Sequence, residues 1–234
     1  NPETIIETDD DNIPLKNFFS KKTTTKQNSY ISKNAGWVNV YKFFTKKNIW
    51  PRGFALEKLQ TPLTKQLKFS KVISPIQQGL ADKNPDVDAI YRLTNKLPIK
   101  FNLSKNISLG KGSICPFNSQ NTSWLRDAYP LMYLPSYCSF RMTDIWRSFI
   151  AQRVAWACGW SILFHNSTVV QERNEHNLMR DFEEEISGYN NNLRIMNNLM
   201  KLKLKSGIKN IKNNMILCYK ELILMNLIDK KELK

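Results

Sequence analysis

The 234-residue sequence is poor in acids, glycine and histidine: 20 Asp and Glu stand against 35 Lys and Arg, with only 8 Gly and 2 His. Its four cysteines (Cys115, Cys138, Cys158, Cys218) never fall at C-x-x-C spacing, which with so few histidines argues against a structural zinc site. A disulfide in an oxidising compartment stays open, because spacing alone assigns none. No apolar run approaches the ~20 residues that a membrane span needs. The longest, Met215 to Ile228, is interrupted by Lys220 and Glu221, and no signal peptide is visible, so no anchor is expected in this chain. Leu109-Gly-Lys-Gly-Ser113 lacks P-loop spacing, and there is no G-x-S-x-G elbow. The chain does not open on Met and runs at once into Thr4-Ile5-Ile6, an opening that reads as that of a fragment.

What is present is enough apolar matter for a packed core, 41% hydrophobic and 11% aromatic. The net charge of +15 is peripheral: residues 21–47 hold seven Lys and no acid, and 193–234 hold ten basic residues against three acids. Charge runs of this kind, Lys-rich and interleaved with Asn and Thr, read as solvated loop and tail. They lack the Arg-plus-aromatic pattern of a single-strand binder, so no nucleic-acid partner is expected. Sequons at Asn102, Asn106, Asn121 and Asn166 permit a lumenal setting.

Along the chain, residues 4–8 read as a short buried strand, 16–36 as a polar loop, and 38–45 as a strand. A turn over 48–53 precedes a short helix at 54–59, and 72–79 reads as another strand. The region 106–124 reads as loop or short strands. The clearest helix covers 144–158, with Thr143 as N-cap, Asp144 at the positive end of the dipole and Gly159 as its stop. Strands at 161–164 and 168–171 follow. Apolar spacing over 193–205 and 214–228 predicts a helical hairpin about Ser206-Gly207. This alternation points to an α/β fold over 1–190 with a basic helical extension over 191–234.

Five segments can carry chemistry. Ile5-Ile6-Glu7-Thr8-Asp9-Asp10-Asp11-Asn12 sets three acids behind a strand, which suits Mn²⁺ or Mg²⁺ held by one or two carboxylates and phosphate oxygens. A strand-ending turn explains the same acids, whereas an EF-hand fails at Ile13 and Pro14. Asp86, Asp88 and Arg92 offer carboxylates for sugar hydroxyls and a cation for phosphate, or else an Asx-Pro turn with a cap. Asn118, Gln120 and Asn121 form a run of amides suited to reading sugars, though an ordinary polar loop looks similar. Asp144, beside Trp146 and between Arg141 and Arg147, suits a general base with two cations for a departing diphosphate; its plain alternative is a helix-start acid next to a core Trp. His176 reads as a metal ligand or a lone surface histidine.

Taken in order, ETDDDN (7–12), WPRGFAL (50–56), IQQGLADKNPDVDAIYRL (76–93), PFNSQNT (116–122), SFRMTDIWRSFIAQR (139–153) and QERNEHN (171–177) resemble the STELLO family of glycosyltransferases. More distantly they resemble the UDP-arabinopyranose mutases. The resemblance implies a GT-A-like α/β fold, N-terminally truncated here, that binds a nucleotide-sugar donor, UDP-linked by expectation, with a divalent cation at Asp9 and Asp11. It implies a substrate role for Arg52 of Pro51-Arg52-Gly53, and a substrate or base role for Asp144 of Asp144-Ile145-Trp146. It also implies a glycan or protein acceptor and a lumenal domain at the Golgi membrane. A non-catalytic Golgi scaffold on the same fold, using the C-terminal helices to hold a protein partner, is the competing expectation.

Overall fold

The computed structural model describes residues 2–20, 24–64, 66–102 and 105–233. Residues 21–23 of the basic segment and Ser104 of the Asn102 sequon lie outside them. In chain order come strands β1 (Thr4–Thr8) and β2 (Asn12–Pro14), the single turn α1 (Asn17–Ser20), then β3 (Lys26–Ser32), β4 (Gly36–Trp37), β5 (Lys68–Ile73) and β6 (Ile76–Asp82). Helix α2 (Ala89–Thr94), strands β7 (Ile107–Leu109), β8 (Ser113–Ile114) and β9 (Asn121–Leu125), and helix α3 (Thr143–Ala157) follow. Strand β10 (Ile162–Gln171) and helices α4 (Leu178–Lys201) and α5 (Ile211–Leu224) complete the α/β architecture.

One mixed eight-stranded sheet runs β1-β9-β6-β10-β7-β3-β5, with β2 paired to the far end of β10. β6 and β10 are parallel from Ile76↔Ile162 to Asp82↔Val170, and β6 is fully buried, as a strand covered on both faces must be. β9 runs antiparallel to both β1 and β6, with Trp124 opposite Ile5 on one side and Ile76 on the other. The carboxyl ends of β1, β6 and β10 therefore point the same way. β2 folds back along Val169–Gln171, which ties the Asp9–Asp11 turn to the end of β10.

Several expected elements differ. β1 is an edge strand, not a buried one, and Ile6 is 40% exposed. The strand read at 38–45 is a 3-10 turn over Val40–Phe43, with Val38, Val40, Tyr41 and Phe44 in the core: the burial of Val40, Tyr41 and Phe44 does not alternate as a half-buried strand would. The helix read at 54–59 is one 3-10 turn, Leu56–Lys58. The strand read at 72–79 is two, broken at Ser74-Pro75, whereas those at 161–164 and 168–171 are the single strand β10 with a bulge between His165 and Val169. Thr143 is the first residue of α3, not its cap, and its hydroxyl donates to Phe140 O at 3.0 Å.

The helical hairpin begins earlier than its apolar spacing implied. Asn177 caps α4 by accepting from the N–H groups of Met179 and Arg180, and the helix runs unbroken through residue 190. Ile195, Met196 and Leu199 of α4, and Ile211, Cys218 and Leu222 of α5, share one core with Trp146, Phe149 and Ile150 of α3. The four cysteines are free. No helix among the described residues is long and apolar enough to cross a membrane.

Candidate active site

A cleft of about 420 Å³ opens where β1, β6 and β10 end, with Asp144 at the start of α3 across it. Ligand sites of open α/β sheets occupy this position. Five aspartates (Asp9, Asp10, Asp11, Asp86, Asp144) and three arginines (Arg52, Arg141, Arg173) line it, with Gln171, Ser119 and His176. The acids arrive on three separate segments: the turn after β1, the loop after β6 and the first turn of α3.

Arg52 joins them. Its Nε donates to Asp86 Oδ1 at 2.8 Å, and its two terminal nitrogens reach Asp144 Oδ1 and Oδ2 at 3.1 and 2.8 Å. A fourth bond goes to Arg141 O, and Arg52 N donates to Asp86 O at 3.0 Å. The turn that aims Arg52 needs Gly53, which sits at φ +83° with an added Cβ only 2.3 Å from Ile145 Cγ2. Burial works against the charge of Arg52, but Asp144 and Asp86 outweigh it and hold the guanidinium above its ordinary pKa. Burial alone would raise Asp86; Arg52, with Arg141 and Arg92 adding, keeps it below the usual carboxylate range.

Asp144 was the expected base. Its Oδ1 accepts from Arg52 and Ile145 N, and its Oδ2 from Arg52 and Ser119 N, so all four lone-pair directions of the carboxylate are used. A carboxylate so engaged holds the Arg52 fork in place. The acids of the β1 turn are less balanced. Burial, then Asp86 and Asp11, push Asp9 up to about 7 against the pull of Arg52. Gln171, at the last position of β10, donates its amide to Asp9 Oδ2 at 3.2 Å and Asp11 Oδ1 at 3.0 Å. Because both neighbours are acceptors, the amide orientation is fixed, and Oε1 is left buried with no hydrogen-bond partner among the described residues. Asp86 Oδ2 is in the same state. Among the described residues, no three His, Cys, Asp or Glu come together as a self-sufficient metal cage.

The opposite wall is cationic. Arg141 holds Glu185 Oε1 through Nε at 2.9 Å, and Arg173 holds Asp181 Oδ2 at 2.9 Å. His176 is about a third exposed, with Nδ1 3.5 Å from Asp181 Oδ2.

The other residues singled out in the sequence serve the frame. Asp88, 1% exposed, caps α2 at Tyr91 N (2.7 Å) and accepts from Trp50 Nε1 at 2.6 Å; it lies off the cleft. Arg92 donates to Pro85 O and is pulled down to about 10 by burial and by Arg173. Asn118, Gln120 and Asn121 are engaged within the frame. Asn118 N bonds Gln78, Gln120 bonds Asp86 N and Asn84 O, and the Asn121 amide bonds Leu80 O and Thr168, so they staple β9 to β6 and β10; only Gln120 reaches the cleft. Buried Asn121 is no glycosylation acceptor in the folded chain. Trp146 is core, donating to Asn192 Oδ1 at 3.0 Å. Arg147 lies over Trp124 and grips Glu7 at 2.7 Å, anchoring β1 to α3 rather than meeting a diphosphate. Gln171 and Arg173 were missed as cleft residues: Gln171 ends the strand read at 168–171 and Arg173 follows it in a polar run, and neither has a local signal that points to the cleft.

Residues 141–234 match the STELLO glycosyltransferases, a stretch that includes the whole helical hairpin. The basic helical extension over 191–234 falls inside the matched stretch. The chain is 28% identical over 165 residues to "Probable glycosyltransferase STELLO1" of Arabidopsis thaliana, covering 67% of this chain and 21% of that protein. It is 31% identical over 152 residues to "Probable glycosyltransferase STELLO2" of the same plant, covering 61% and 20%. The chain thus spans about a fifth of the length of these relatives. Over residues 141–234, which hold α3, β10 and the helical hairpin, the chain is similar to the STELLO glycosyltransferases.

Proposed function

We propose that the cleft handles the diphosphate and sugar of a nucleotide-sugar donor, UDP-linked by family likeness, in a GT-A-like glycosyltransferase of the Golgi lumen. The observation that carries this reading is the convergence, at the carboxyl ends of β1, β6 and β10, of an acidic turn, a buried Arg52–Asp86–Asp144 node and two further arginines. Transfer would break the bond between the sugar's anomeric carbon and the diphosphate oxygen and form one to an acceptor hydroxyl of a glycan or protein. The nucleoside diphosphate departs and takes up the proton that the acceptor hydroxyl loses.

The residues present fit a divalent cation. Mg²⁺ or Mn²⁺ asks for one or two carboxylates and completes its shell with phosphate oxygens and water. Asp9 and Asp11 supply those carboxylates, and the raised pKa of Asp9 marks an excess of negative charge that a cation neutralises. Bound there, the cation would neutralise charge on the diphosphate. Arg141 and Arg173 face the leaving diphosphate as fixed cations, and Asp86 Oδ2 and Gln171 Oε1 are acceptors for sugar hydroxyls. Asp144 holds Arg52 in place beneath them.

The test is calorimetric titration of UDP and UDP-sugars with Mn²⁺ into the protein and its Asp9→Ala/Asp11→Ala variant. Binding that needs Mn²⁺ and vanishes in the variant is expected. Undiminished Mn²⁺-dependent binding in the variant would remove the acidic turn from the site, and no binding by either protein would overturn the donor reading.

A further inference from the structure

The far end of α3 from the cleft carries a second concavity, on the order of 18 Å away at 1.5 Å per helical residue between Asp144 and Trp156. Two adjoining hollows of about 450 and 530 Å³ share Ile31, Lys33 and Ser70. Their lining includes Lys33, Lys68, Lys71 and Lys111 and not one carboxylate. All four lysines are exposed, and none makes an ion pair among the described residues. They come from three places, the loop after β3, strand β5 and the turn after β7, and the backbone fixes that meeting. Asn34 N donates to Lys111 O at 2.9 Å, Gly110 N to Ser32 O at 2.9 Å, and β5 pairs with β3 at Lys68↔Ile31.

The floor supplies an independent observation. Trp156 lines the first hollow, is 7% exposed, and its indole N–H has no acceptor among the described residues. An indole nitrogen only donates, so what it lacks is an acceptor oxygen, and leaving a buried donor unpaired is costly. Lysines on an exposed edge strand have another use, because they deter pairing with a second chain. That explains Lys68 and Lys71 on β5 but neither Lys33 nor Lys111, nor the unpaired indole. The C-terminus of α3 brings a weak negative field, which a ligand anion tolerates only with several cations around it. Four unpaired lysines meet that condition.

We propose that this groove binds a small polyol bearing several phosphate groups, supplied by a soluble inositol phosphate or by a phosphoinositide headgroup. Lys acts as a point-charge phosphate ligand, and Trp156 adds one directed bond. The site is separate from the cleft and does not rest on the donor reading.

Titration of inositol hexakisphosphate by calorimetry tests it, beside flotation with phosphatidylcholine vesicles containing or lacking phosphatidylinositol phosphate. Trp156→Phe keeps an aromatic ring and removes the N–H together with the pyrrole carbons beside it; a drop in affinity of about threefold to tenfold is expected from the lost hydrogen bond. Lys33→Gln/Lys111→Gln should weaken binding by about tenfold or more, and Lys201→Gln/Lys212→Gln, on exposed positions of α4 and α5, should change it little. Unchanged thermal midpoints show that the variants fold. Capture only by phosphoinositide vesicles identifies a headgroup, and binding only of the soluble phosphate identifies a free ligand; either supports the groove. No binding of either probe overturns it. So does binding that ignores Trp156→Phe and falls equally with both lysine pairs, since that is net charge alone.

Discussion

Arg52 is the side chain on which the cleft depends, because two buried carboxylates on different segments are satisfied by one guanidinium. Arg52→Met leaves Asp86 and Asp144 buried and uncompensated, and breaking a buried pair from one side costs about 3–5 kcal/mol. Urea denaturation should show a loss of that order, with Arg52→Lys in between, since Lys keeps the charge but not the fork that reaches both carboxylates. Asp88 gives a pH signature of its own. Burial, only partly offset by the bonds from Tyr91 N and Trp50, raises it from 3.8 to about 6. Its folded value exceeds its unfolded one, so its contribution to stability is fully present below the unfolded pKa and is lost as pH rises through about 6. Asp88→Asn cannot titrate. The stability of the parent relative to this variant should therefore fall by at most about 3 kcal/mol between about pH 4 and pH 7. A difference that is flat across that window would show that Asp88 is not raised.

At the scale of elements, the turn before Phe54 lies tight against α3. Gly53→Ala meets both a positive φ and Ile145 Cγ2 at 2.3 Å, so it should destabilise by about 2 kcal/mol or more. Adding Ile145→Val, which shortens the side chain but keeps Cγ2, should restore little, whereas Ile145→Ala should relieve the clash and leave the backbone strain; thermal melts of the three variants distinguish these. Elements with a local cause were legible in the sequence: β1 by its β-branched run, α3 by its apolar face and Gly159, and the hairpin by the spacing of Leu193, Met196 and Met200. The frame contacts of the Asn118–Asn121 run were not legible because its partners, Gln78, Leu80 and Asn84, lie about forty residues back in the chain. An amide used inside the frame and an amide offered to a sugar have the same sequence. Asp144 stood out as a candidate acid, and the structure sets it at the cleft, but its bidentate partner Arg52 was not legible.

For the whole molecule, the question is whether the helical hairpin is an appendage or part of the domain. Composition favours an appendage, since the charge rises sharply beyond residue 193. Packing favours the domain: α4 supplies Asn192 to Trp146 Nε1 at 3.0 Å and to Gly53 O at 3.0 Å, so it braces both α3 and the turn that aims Arg52. Glu185 of the same helix receives Arg141 and the N–H of Ala89 at 2.7 Å, tying α2 and the cationic wall of the cleft to α4. Arg153 of α3 closes the far end of the hairpin by donating to Leu199 O and Leu202 O at 2.9 and 2.6 Å. Removing 191–234 therefore strips the cover from Trp146, Phe149 and Ile150 and leaves buried donors unpaired, well beyond the marginal stability of a domain this size. A chain ending at residue 190 should show no cooperative thermal transition and should bind hydrophobic dyes. A cooperative melt within a few degrees of the parent would establish the hairpin as a separate unit, and the cleft would then have to hold its arginines without it.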